Sequence, residues 1–515
     1  MSPPPAIRLS GICKRFGTVQ ANDDVSLEVD EGSVHGIIGE NGAGKSTLVS
    51  ILSGHYTADK GAIELFGAPV KLTSSADAIA QGIGMVHQHF MLVPNFTVLE
   101  NLMLGMATGQ ILKASRASVR EQLLEMERTY NLAVDPDGVV EDLPVGLQQR
   151  AEILKALIRG GRILILDEPT GVLTPDETDR LFESLAVLKA RGVTILLITH
   201  KLREIMAITD NVSVMRQGKM VAHRKTSQTN RQELAELMVG RTVRHVANEV
   251  PAKPGGVALK AEGLSFIEGG VRRLDDVSLT LREGEIVGIA GVAGNGQSEL
   301  LACLSGIKAP HEGIISVGGQ TISRAAPTDP KRMRRLGIAH VPEDRRREGL
   351  VMAFQAQENA VLGQLQEARG GRRWLLATRR MGARCAELMG RFDVRPPDPR
   401  LRAAGFSGGN QQKLVLAREH GSHPKVLLVG QPTRGVDIGA IEFIHARLLE
   451  LRDQGCAVLL VSVELDEILA LSDRIIAMNA GRIVGEVDGA NADRGTVGLM
   501  MAGIATGSER KERVA

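Results

Sequence analysis

The sequence predicts an α/β fold made of two tandem domains, each built on a mostly parallel β-sheet. Three observations support this. Short apolar runs alternate with helix-forming stretches, the arrangement recurs in the second half of the chain, and a glycine-rich loop motif joins a strand to a helix. The length of 515 residues fits roughly two to four domains.

The second half of the chain repeats the first in diverged form. The segment ANDDVSLEVDEGSVHGIIGENGAGKSTL matches RLDDVSLTLREGEIVGIAGVAGNGQSEL, and RILILDEPTGVLTP matches KVLLVGQPTRGVDI. Between the halves, NEVPAKPGG has the proline and glycine content of a short linker. We expect a first domain over residues 7–243, a linker over 244–257 and a second domain over 258–505.

Each domain is expected to contain strands that are buried on both faces. The first half has continuous apolar runs at Val34–Ile38, Ile163–Leu166 and Ile195–Ile198, each followed by a turn and a helix. Between about Phe90 and Arg159 the strand signal fades and helix-forming sequence takes over. This stretch predicts a helical subdomain inserted into the sheet domain.

The charge balance gives no indication of a nucleic-acid partner. Lys and Arg number 62 against 60 Asp and Glu, and the net charge is +2. Arginines cluster at residues 332–335 and 345–347. We interpret both clusters as solvated faces, with phosphate or lipid binding as the alternative.

The cysteine spacing and the apolar runs indicate a reduced, cytosolic compartment. The four cysteines are far apart and form neither a CxxC pair nor a metal-ligand spacing. No apolar run approaches the ~18 residues that a membrane-spanning helix needs. The first residues lack the basic and apolar regions of a signal peptide. Any membrane role is expected to depend on a partner.

The segment GENGAGKS has the GxxxxGKS pattern of a phosphate-binding loop, between a predicted strand and a predicted helix. Its glycines let backbone N–H groups point at phosphate oxygens at a helix N-terminus, and its lysine adds a positive charge. The hydroxyl of Ser46 is placed to bind Mg²⁺. The predicted nucleotide-binding residues here are Gly39, Glu40, Asn41, Gly42, Ala43, Gly44, Lys45, Ser46 and Thr47.

Two further strand ends carry side chains suited to hydrolysis. Asp167 ends a buried strand, where a carboxylate needs a cation such as Mg²⁺, and Glu168 follows as the candidate general base. His200 ends the next strand and is a candidate to contact the γ-phosphate. Taken alone, the two acids fit a strand-terminating turn and the histidine a structural role, but the preceding phosphate loop favours catalysis.

Gln88 and Phe16 are the remaining candidates in the first half. Gln88 begins the helical stretch and is predicted to contact both Mg²⁺ and the attacking water, against the alternative of an ordinary loop glutamine. Phe16 lies upstream of the phosphate loop. It is predicted either to stack on adenine or to pack in the core.

With these motifs in place, the chain resembles the ATP-binding-cassette family over roughly residues 7–505. The second half has a nearly intact family signature, FSGGNQQK from Phe406, and the first half has the variant LPVGLQQR from Leu143. The resemblance implies two P-loop ATPase domains, each with an added antiparallel β region and an inserted helical subdomain. It also implies ATP and Mg²⁺ as ligands.

In this family two cassettes close head to tail, and each site combines the phosphate loop of one with the signature and D-loop of the other. The resemblance therefore implies one complete site. Its first-half members are Lys45, Ser46, Gln88, Asp167, Glu168 and His200. Its second-half members are Ser407, Gly408, Gly409, Asn410, Gln411 and Asp437.

The resemblance also implies a second site that has lost its catalytic groups. In the second half, Gln297 replaces the lysine, Glu343 stands roughly at the Q-loop glutamine, Gly430 and Gln431 replace the two acids, and Val463 replaces the histidine. In the first half, Pro144 replaces the signature serine and Thr174 the D-loop aspartate. Because the losses gather at one site, we expect this site to bind nucleotide weakly or statically.

The twin-cassette form resembles the ATPase subunits of sugar and nucleoside importers. This implies two transmembrane permease subunits, an extracytoplasmic substrate-binding lipoprotein and a peripheral position on the cytoplasmic face of the membrane. The segment GMVHQHFMLVPNFTVLENLMLG favours nucleosides, with simple sugars as the alternative. A soluble twin-cassette ATPase acting on ribosomes or DNA is another class, but the short linker and the degenerate site argue against it.

Overall fold

The computed structural model describes residues 4–87, 90–104, 116–170, 173, 175–242, 246–292, 294–364, 377–501 and 503. The prediction for Gln88 and that for Thr174 lie outside these residues. The chain divides into two compact units, Met1–Val243 and Arg244–Ala515, which we call unit 1 and unit 2. Each unit is described by itself.

Unit 1 contains an antiparallel sheet and a mostly parallel sheet. Its strands are β1 (Ile7–Phe16), β2 (Val19–Val29), β3 (Val34–Ile38), β4 (Lys60–Leu65), β5 (Ala68–Val70), β6 (Ile83–Val86), β7 (Ile163–Asp167), β8 (Thr194–Thr199), β9 (Asn211–Arg216) and β10 (Lys219–Lys225). The sheet orders are β2-β1-β4-β5 and β10-β9-β3-β8-β7-β6. In the second sheet all pairings are parallel except that of β9 with β10.

The helices of unit 1 follow its strands and fill the predicted helical subdomain. They are α1 (Lys45–Leu52), α2 (Ser75–Ala80), α3 (Val98–Met103), α4 (Arg116–Tyr130), α5 (Val145–Ile158), α6 (Pro175–Ala190), α7 (Leu202–Ile208) and α8 (Arg231–Val239). Helices α3, α4 and α5 lie between β6 and β7 and pack on one another. A capping box formed by Thr97 and Glu100 begins α3.

The core of unit 1 lies between its two sheets. All five residues of β3 are buried, as expected for a strand covered on both faces. Apolar side chains of the antiparallel sheet, of α1 and of the parallel sheet join one cluster, which includes Ile7, Leu48 and Ile165. This packing fixes α1, and the loop before it, at the end of β3.

Unit 2 repeats the architecture of unit 1. Its strands are β11 (Val257–Glu268), β12 (Val271–Arg282), β13 (Ile286–Ala290), β14 (Glu312–Val317), β15 (Gln320–Ser323), β16 (Ile338–Val341), β17 (Val426–Gly430), β18 (Ala457–Val461), β19 (Arg474–Asn479) and β20 (Arg482–Asp488). The sheet orders are β12-β11-β14-β15 and β16-β17-β18-β13-β19-β20. Strand for strand, both orders match those of unit 1.

The helices of unit 2 also correspond to those of unit 1. They are α9 (Gln297–Leu304), α10 (Pro330–Arg335), α11 (Ala356–Asn359), α12 (Thr378–Arg391), α13 (Gly408–His420), α14 (Ile438–Asp453), α15 (Leu465–Leu471) and α16 (Arg494–Met501). Helices α11, α12 and α13 lie between β16 and β17. The α/β fold with tandem, mostly parallel sheets is therefore confirmed in both units.

One residue of the predicted linker is bound to unit 2. The backbone N–H of Asn248 donates to the carbonyl oxygen of Ala470 (2.8 Å), and its side-chain amide donates to Asp473 (2.7 Å). Arg452 donates to the side-chain oxygen of Asn248. The side-chain amide of Asn248 also donates to the carbonyl oxygen of Leu471 (3.4 Å), so these four hydrogen bonds anchor the segment before β11 to this unit.

The arginine clusters are solvated only in part. The guanidinium of Arg334 pairs with the buried carboxylate of Glu419 (2.8 Å). That of Arg345 donates to the carbonyl oxygens of Arg434 and Gly435 (2.6 and 3.2 Å). The interpretation of both clusters as solvated faces is wrong for these two residues, because each has a partner far away in the sequence.

Two expectations concern the whole chain. All four cysteines are free thiols. Across the part of the chain that the structure describes, no helix combines the length and the apolar character needed to cross a membrane.

Candidate active site

The glycine-rich loop of unit 1 joins β3 to α1 and needs glycine at particular positions. Gly44 caps α1 with a φ of 101°, and a Cβ atom there would lie 2.3 Å from the carbonyl oxygen of Ala21. Gly42 also has a positive φ, of 84°. The loop leads directly into α1, whose first N–H groups have no helical partner. Backbone donors at a helix N-terminus can bind phosphate oxygens.

Lys45 is folded back into this loop. Its Nζ donates to the carbonyl oxygens of Gly39 (2.6 Å) and Glu40 (3.1 Å), and the residue is 6% exposed. Burial lowers the pKa of Lys45, and the nearby carboxylates of Glu168 and Asp167 oppose that shift. The ammonium group is therefore enclosed by groups that favour its charged form.

The two predicted acids stand at the end of β7, which is separated from β3 by β8. Asp167 is the last residue of β7, and burial raises its pKa, with a further contribution from the negative charge of Glu168. Glu168 has a φ of 47°, and its N–H donates to the carbonyl oxygen of Ile198 in β8 (2.8 Å). This left-handed turn directs the chain away from the sheet directly after Asp167.

Glu168 and His200 form a hydrogen-bonded pair. The Nδ1 of His200 lies 2.8 Å from Oε1 of Glu168, and both side chains are partly buried. This hydrogen bond is the main cause of a lowered pKa for Glu168, and it outweighs the effect of burial. Glu168 is thus ionised at neutral pH and oriented by the histidine. The sequence identified both residues but not their contact.

Ser46 and Asp167 are suited to hold Mg²⁺. Ser46 presents a hydroxyl in the first turn of α1, and the raised pKa of Asp167 reflects a buried negative charge that a cation would stabilise. Within the described residues, no group of three or more His, Cys, Asp and Glu side chains could hold a metal alone. A metal bound here therefore needs phosphate or water oxygens as further ligands, as Mg²⁺ usually does.

Glu204, which no sequence motif indicates, supports the loop after Glu168. Glu204 lies in α7 and is 3% exposed, and the hydroxyl of Thr170 donates to its carboxylate. Burial raises the pKa of Glu204. No sequence motif identifies an acid in the first turn of a short helix, because its role depends on a partner 34 positions earlier in the chain.

Phe16 is exposed at the end of β1, so the alternative of core packing is wrong. The ring is 42% exposed and contacts the ring of Tyr56 edge-on, with 5.1 Å between centroids. The Nζ of Lys14 lies 5.6 Å from the centroid of Phe16. Stacking of Phe16 on adenine stays a prediction.

Ser407 caps the helix that begins the signature segment of unit 2. Its Oγ accepts from the side-chain amide of Asn410 (2.8 Å), and α13 begins at Gly408. A Cβ atom on Gly409 would lie 2.6 Å from Oδ2 of Asp437. The second glycine therefore permits α13 to approach the start of α14 closely.

Three other predicted members of this segment make structural contacts. The amide of Gln411, which is 5% exposed, donates to the carbonyl oxygens of Ala403 and Phe406 (3.1 and 2.9 Å). Asn410 accepts from the N–H of Arg395 (2.7 Å), and Asp437 caps α14. The amide of Gln411 holds the preceding turn, and its role as a nucleotide ligand stays a prediction.

The corresponding loop of unit 2 has the same shape without the positive charge. Gly296 caps α9 with a φ of 99°. Gln297 is 5% exposed, and its Nε2 donates to the carbonyl oxygen of Val292 (3.1 Å), much as Lys45 does in its own loop.

The Glu168–His200 pair of unit 1 has no counterpart at the corresponding positions of unit 2. Gln431 has a φ of 48°, and its N–H donates to the carbonyl oxygen of Val461 (2.8 Å), so the backbone matches that of Glu168. Its Oε1 accepts from the N–H of Val463 (3.1 Å). An amide in this position cannot accept a proton, and here it is held by the backbone.

The signature variant of unit 1 lacks a side-chain cap. Pro144 stands before α5 with a φ of −52°, and no side chain caps this helix. Proline at such a position is compatible with a helix start. It offers neither the hydroxyl nor the N–H of a serine.

Comparisons with known proteins agree with this geometry. The family model described as ABC transporter matches residues 22–171 and 274–434. The nucleoside import ATP-binding protein NupA of Lactococcus lactis subsp. cremoris is 43% identical over 498 residues, covering 96% of this chain and 98% of that protein. A glucose import ATP-binding protein of Haloferax volcanii is 43% identical over 534 residues, covering 98% and 96%.

A solved structure also matches nearly the whole chain. It is the complex of an archaeal ribosomal stalk protein and an archaeal ribosome recycling factor, and the match covers 95% of this chain and 92% of that one. The TM-score is 0.60 and the sequence identity is 18%. At this identity the likeness concerns the fold alone.

Proposed function

The chain belongs to the ABC transporter family, and on that premise we propose that it is the ATP-hydrolysing subunit of an importer for nucleosides or simple sugars. The observation that carries the proposal is the Glu168–His200 pair (2.8 Å) beside the loop that holds Lys45. Unit 2 has an amide and a valine at the corresponding positions. One unit is therefore equipped for hydrolysis and the other is not.

The residues of unit 1 account for binding and for activation of water. The loop amides and Lys45 bind the β- and γ-phosphates. Glu168 is ionised at neutral pH, because the hydrogen bond from His200 lowers its pKa, and it can orient the attacking water and accept its proton. When bound, Mg²⁺ supplies positive charge to the phosphate oxygens through Ser46 and Asp167. Gln88 is a further candidate to contact the metal and the water.

The proposal assigns a role to the signature segment of unit 2. Ser407 and the N–H groups at the start of α13 would contact the γ-phosphate of the nucleotide held by unit 1, as the family's head-to-tail closure implies. Gly408 and Gly409 leave room for Arg345 and Asp437, which hold the start of α13 in place. A nucleotide at unit 2 would face Pro144, which has no hydroxyl.

The proposed partners are two transmembrane permease subunits and, indirectly, an extracytoplasmic substrate-binding protein. The chain would lie peripherally on the cytoplasmic face of the membrane, with one copy supplying both cassettes. Support comes from the relatives, which are named import ATP-binding proteins and match almost the whole chain.

Nucleosides are the cargo class we favour, with simple sugars second. The relatives named for nucleoside, guanosine and glucose import are all 43% identical to this chain. Because the cassette binds ATP and not the cargo, its identity to these relatives does not separate the two classes. Uptake of labelled nucleosides and sugars by vesicles that contain the reconstituted importer would separate them.

The central test is substitution of the proposed base. Glu168→Gln should lower ATP hydrolysis at least about 10²-fold, the scale of losing one preorganised catalytic group, while nucleotide binding remains. Glu183→Gln is the matched control, since Glu183 is exposed in α6. Substantial hydrolysis by Glu168→Gln would contradict the proposal. Copurification with ribosomes instead of integral membrane proteins would favour the soluble class.

A further inference from the structure

Unit 2 contains a carboxylate–hydroxyl pair that hydrolysis in unit 1 does not use. Ser298 is the second residue of α9, as Ser46 is of α1. Its Oγ donates to Oε2 of Glu343, which lies just beyond β16, at 2.6 Å. A hydroxyl and a carboxylate are the two side-chain groups that we assign to Mg²⁺ in unit 1.

The strand register shows which residues correspond between the units. In each unit, the last residue of one strand (β6 or β16) lies opposite the penultimate residue of its neighbour (β7 or β17). Gly430 therefore takes the place of Asp167, and Glu343, two residues beyond its strand, takes the place of residue 88. Unit 2 thus has no carboxylate at the end of β17, but it has one just beyond the end of the neighbouring strand β16.

Glu343 and an acid at position 430 exclude one another. A Cβ atom on Gly430 would lie 2.5 Å from Cγ of Glu343 and 3.1 Å from its backbone nitrogen. The Glu343 side chain thus fills the volume that an aspartate at 430 would need. Glycine at 430 and glutamate at 343 form a matched pair.

We propose that Glu343 takes the metal-binding role that Asp167 has in unit 1. Unit 2 would then bind a Mg²⁺–nucleotide complex through Ser298 and Glu343 without hydrolysing it. The inference rests on the proposed function in one respect, namely that both glycine-rich loops bind nucleotide phosphates. It goes further by naming the metal ligands of the degenerate unit.

The charges of the unit 2 loop require the cation. Gln297 supplies a neutral amide where unit 1 has an ammonium group, and Glu343 adds a negative charge beside the helix start. Without a metal, that carboxylate would repel the phosphates. With Mg²⁺ between them, the same carboxylate becomes a ligand, as hard cations prefer oxygen donors. Nucleotide binding by unit 2 therefore depends strictly on the metal.

The groups around the pair also account for the absence of hydrolysis. Gln431 cannot accept a proton, and its Oε1 already accepts from the N–H of Val463. The bound complex would be a static ligand that stabilises unit 2.

The test uses the full chain with Lys45→Ala, so that bound nucleotide reports unit 2. Binding of ADP is measured with Mg²⁺ and with EDTA, and the metal site is probed directly by the electron paramagnetic resonance of Mn²⁺. We expect one ADP and one Mn²⁺ per chain, and at least tenfold weaker ADP binding in EDTA.

Three variants in this background separate a ligand from a packing residue. Glu343→Gln should lose the Mn²⁺ signal and at least tenfold in ADP affinity. Gly430→Asp should do the same, because the new side chain collides with Glu343. The double variant Glu343→Ala/Gly430→Asp removes the Cγ atom that collides and returns an aspartate to the end of β17, so it should recover both. Glu312→Gln is the control, because Glu312 is exposed at the start of β14.

Each other outcome overturns the inference. These outcomes are ADP binding that is equal in Mg²⁺ and EDTA, Mn²⁺ binding that survives Glu343→Gln, a double variant that recovers nothing, and no ADP bound by unit 2. Thermal melting checks that every variant is folded, and the Mg²⁺–EDTA comparison needs no variant at position 343 or 430. If unit 2 fails to bind Mn²⁺–ADP but the wild-type chain supports ATP hydrolysis and uptake, only this inference is overturned. If ATP hydrolysis and uptake are absent but unit 2 still binds Mn²⁺–ADP, only the proposed function is overturned.

Discussion

At the scale of single residues, the two units keep the same strained backbone around different side chains. Glu168 and Gln431 have φ values of 47° and 48°, and their N–H groups donate to the next strand at the same distance, 2.8 Å. A left-handed conformation costs a residue other than glycine roughly 1–2 kcal/mol. Because Gln431 keeps it without a carboxylate, this turn is required by the sheet and not by catalysis.

The pH dependence of hydrolysis should report the His200–Glu168 pair. The hydrogen bond holds the pKa of Glu168 below its ordinary value, so the wild-type base stays ionised to a lower pH than an unpaired carboxyl would. In His200→Ala that hydrogen bond is lost, while burial, which raises the pKa, remains. The acidic limb of the ATPase pH profile should therefore move to higher pH. An unshifted limb would show that the pair does not set the ionisation of Glu168.

The same pair contributes to stability in a defined pH range. A carboxyl whose folded pKa is lowered stabilises the folded protein above its ordinary pKa, and the contribution is lost as the pH falls through the folded value. Thermal melting of the wild type and of His200→Ala should therefore differ most at neutral pH and converge in acid. Equal differences at all pH values would contradict this.

Lys45→Gln should abolish activity without harming the fold. Gln297 shows that a glutamine fits such a loop, with its amide bonded to a loop carbonyl oxygen (3.1 Å). The variant also removes a buried ammonium group, whose pKa is lowered by burial. ATP hydrolysis should fall about 10²–10³-fold with an unchanged or higher melting temperature. Lys60→Gln is the control, because Lys60 is exposed at the start of β4.

At the scale of elements, the start of α13 is held by a residue from another segment. The guanidinium of Arg345 donates to the carbonyl oxygens of Arg434 and Gly435, and a Cβ atom on Gly408 would lie 2.5 Å from its Nη2. Arg345 thus joins the signature turn and the loop before α14 into one block. A glycine at 408 leaves room for the guanidinium.

Arg345→Ala should loosen that block. Hydrogen bonds from charged donors contribute about 1.5–3 kcal/mol each, so the free energy of unfolding of unit 2 should fall by roughly 2 kcal/mol or more. The maximal rate of ATP hydrolysis should also fall, while the affinity of unit 1 for nucleotide is unchanged. Denaturant unfolding and steady-state kinetics measure these effects. Arg346→Ala, on an exposed neighbour, should change neither.

The sequence predicts these elements better than their long-range contacts. The apolar run Val34–Ile38 is β3 residue for residue, because burial on both faces leaves a continuous signal. The sequence alone predicts a solvated side chain for Arg345, and it gives no sign of the bonds from Gln411 to the preceding turn. Each makes contacts that depend on how distant segments approach, and neither spacing nor composition encodes that approach. The carboxylate at 343 was recognised as a departure, but its bond to Ser298 was not.

At the scale of the whole molecule, catalysis and folding are encoded separately. Unit 2 has the sheet orders of unit 1 despite losing the lysine, both acids and the histidine. Those side chains lie at strand ends and loop positions, outside the apolar clusters that stabilise each unit. Their loss therefore leaves the architecture intact.

Exchanging the two signature caps should reveal which unit serves the hydrolytic site. Ser407 has a φ of −62° and follows an extended residue, so Ser407→Pro is sterically acceptable and should cost only about 1 kcal/mol of capping. We expect ATP hydrolysis to fall about 10²-fold. Pro144→Ser should leave the rate unchanged. Equal effects of the two substitutions would contradict the proposed division of labour.

The buried side chain beneath each glycine-rich loop has a consequence for the rate of nucleotide binding. Lys45 and Gln297 both brace their loops from inside through hydrogen bonds to loop carbonyl oxygens. Ordering the backbone of one residue costs about 1–2 kcal/mol of conformational entropy. Because the loop is ordered when the unit folds, this cost does not reduce the affinity for nucleotide. Capture of a nucleotide is then a collision with a ready-made receptor, and its rate should approach that of diffusion and docking alone.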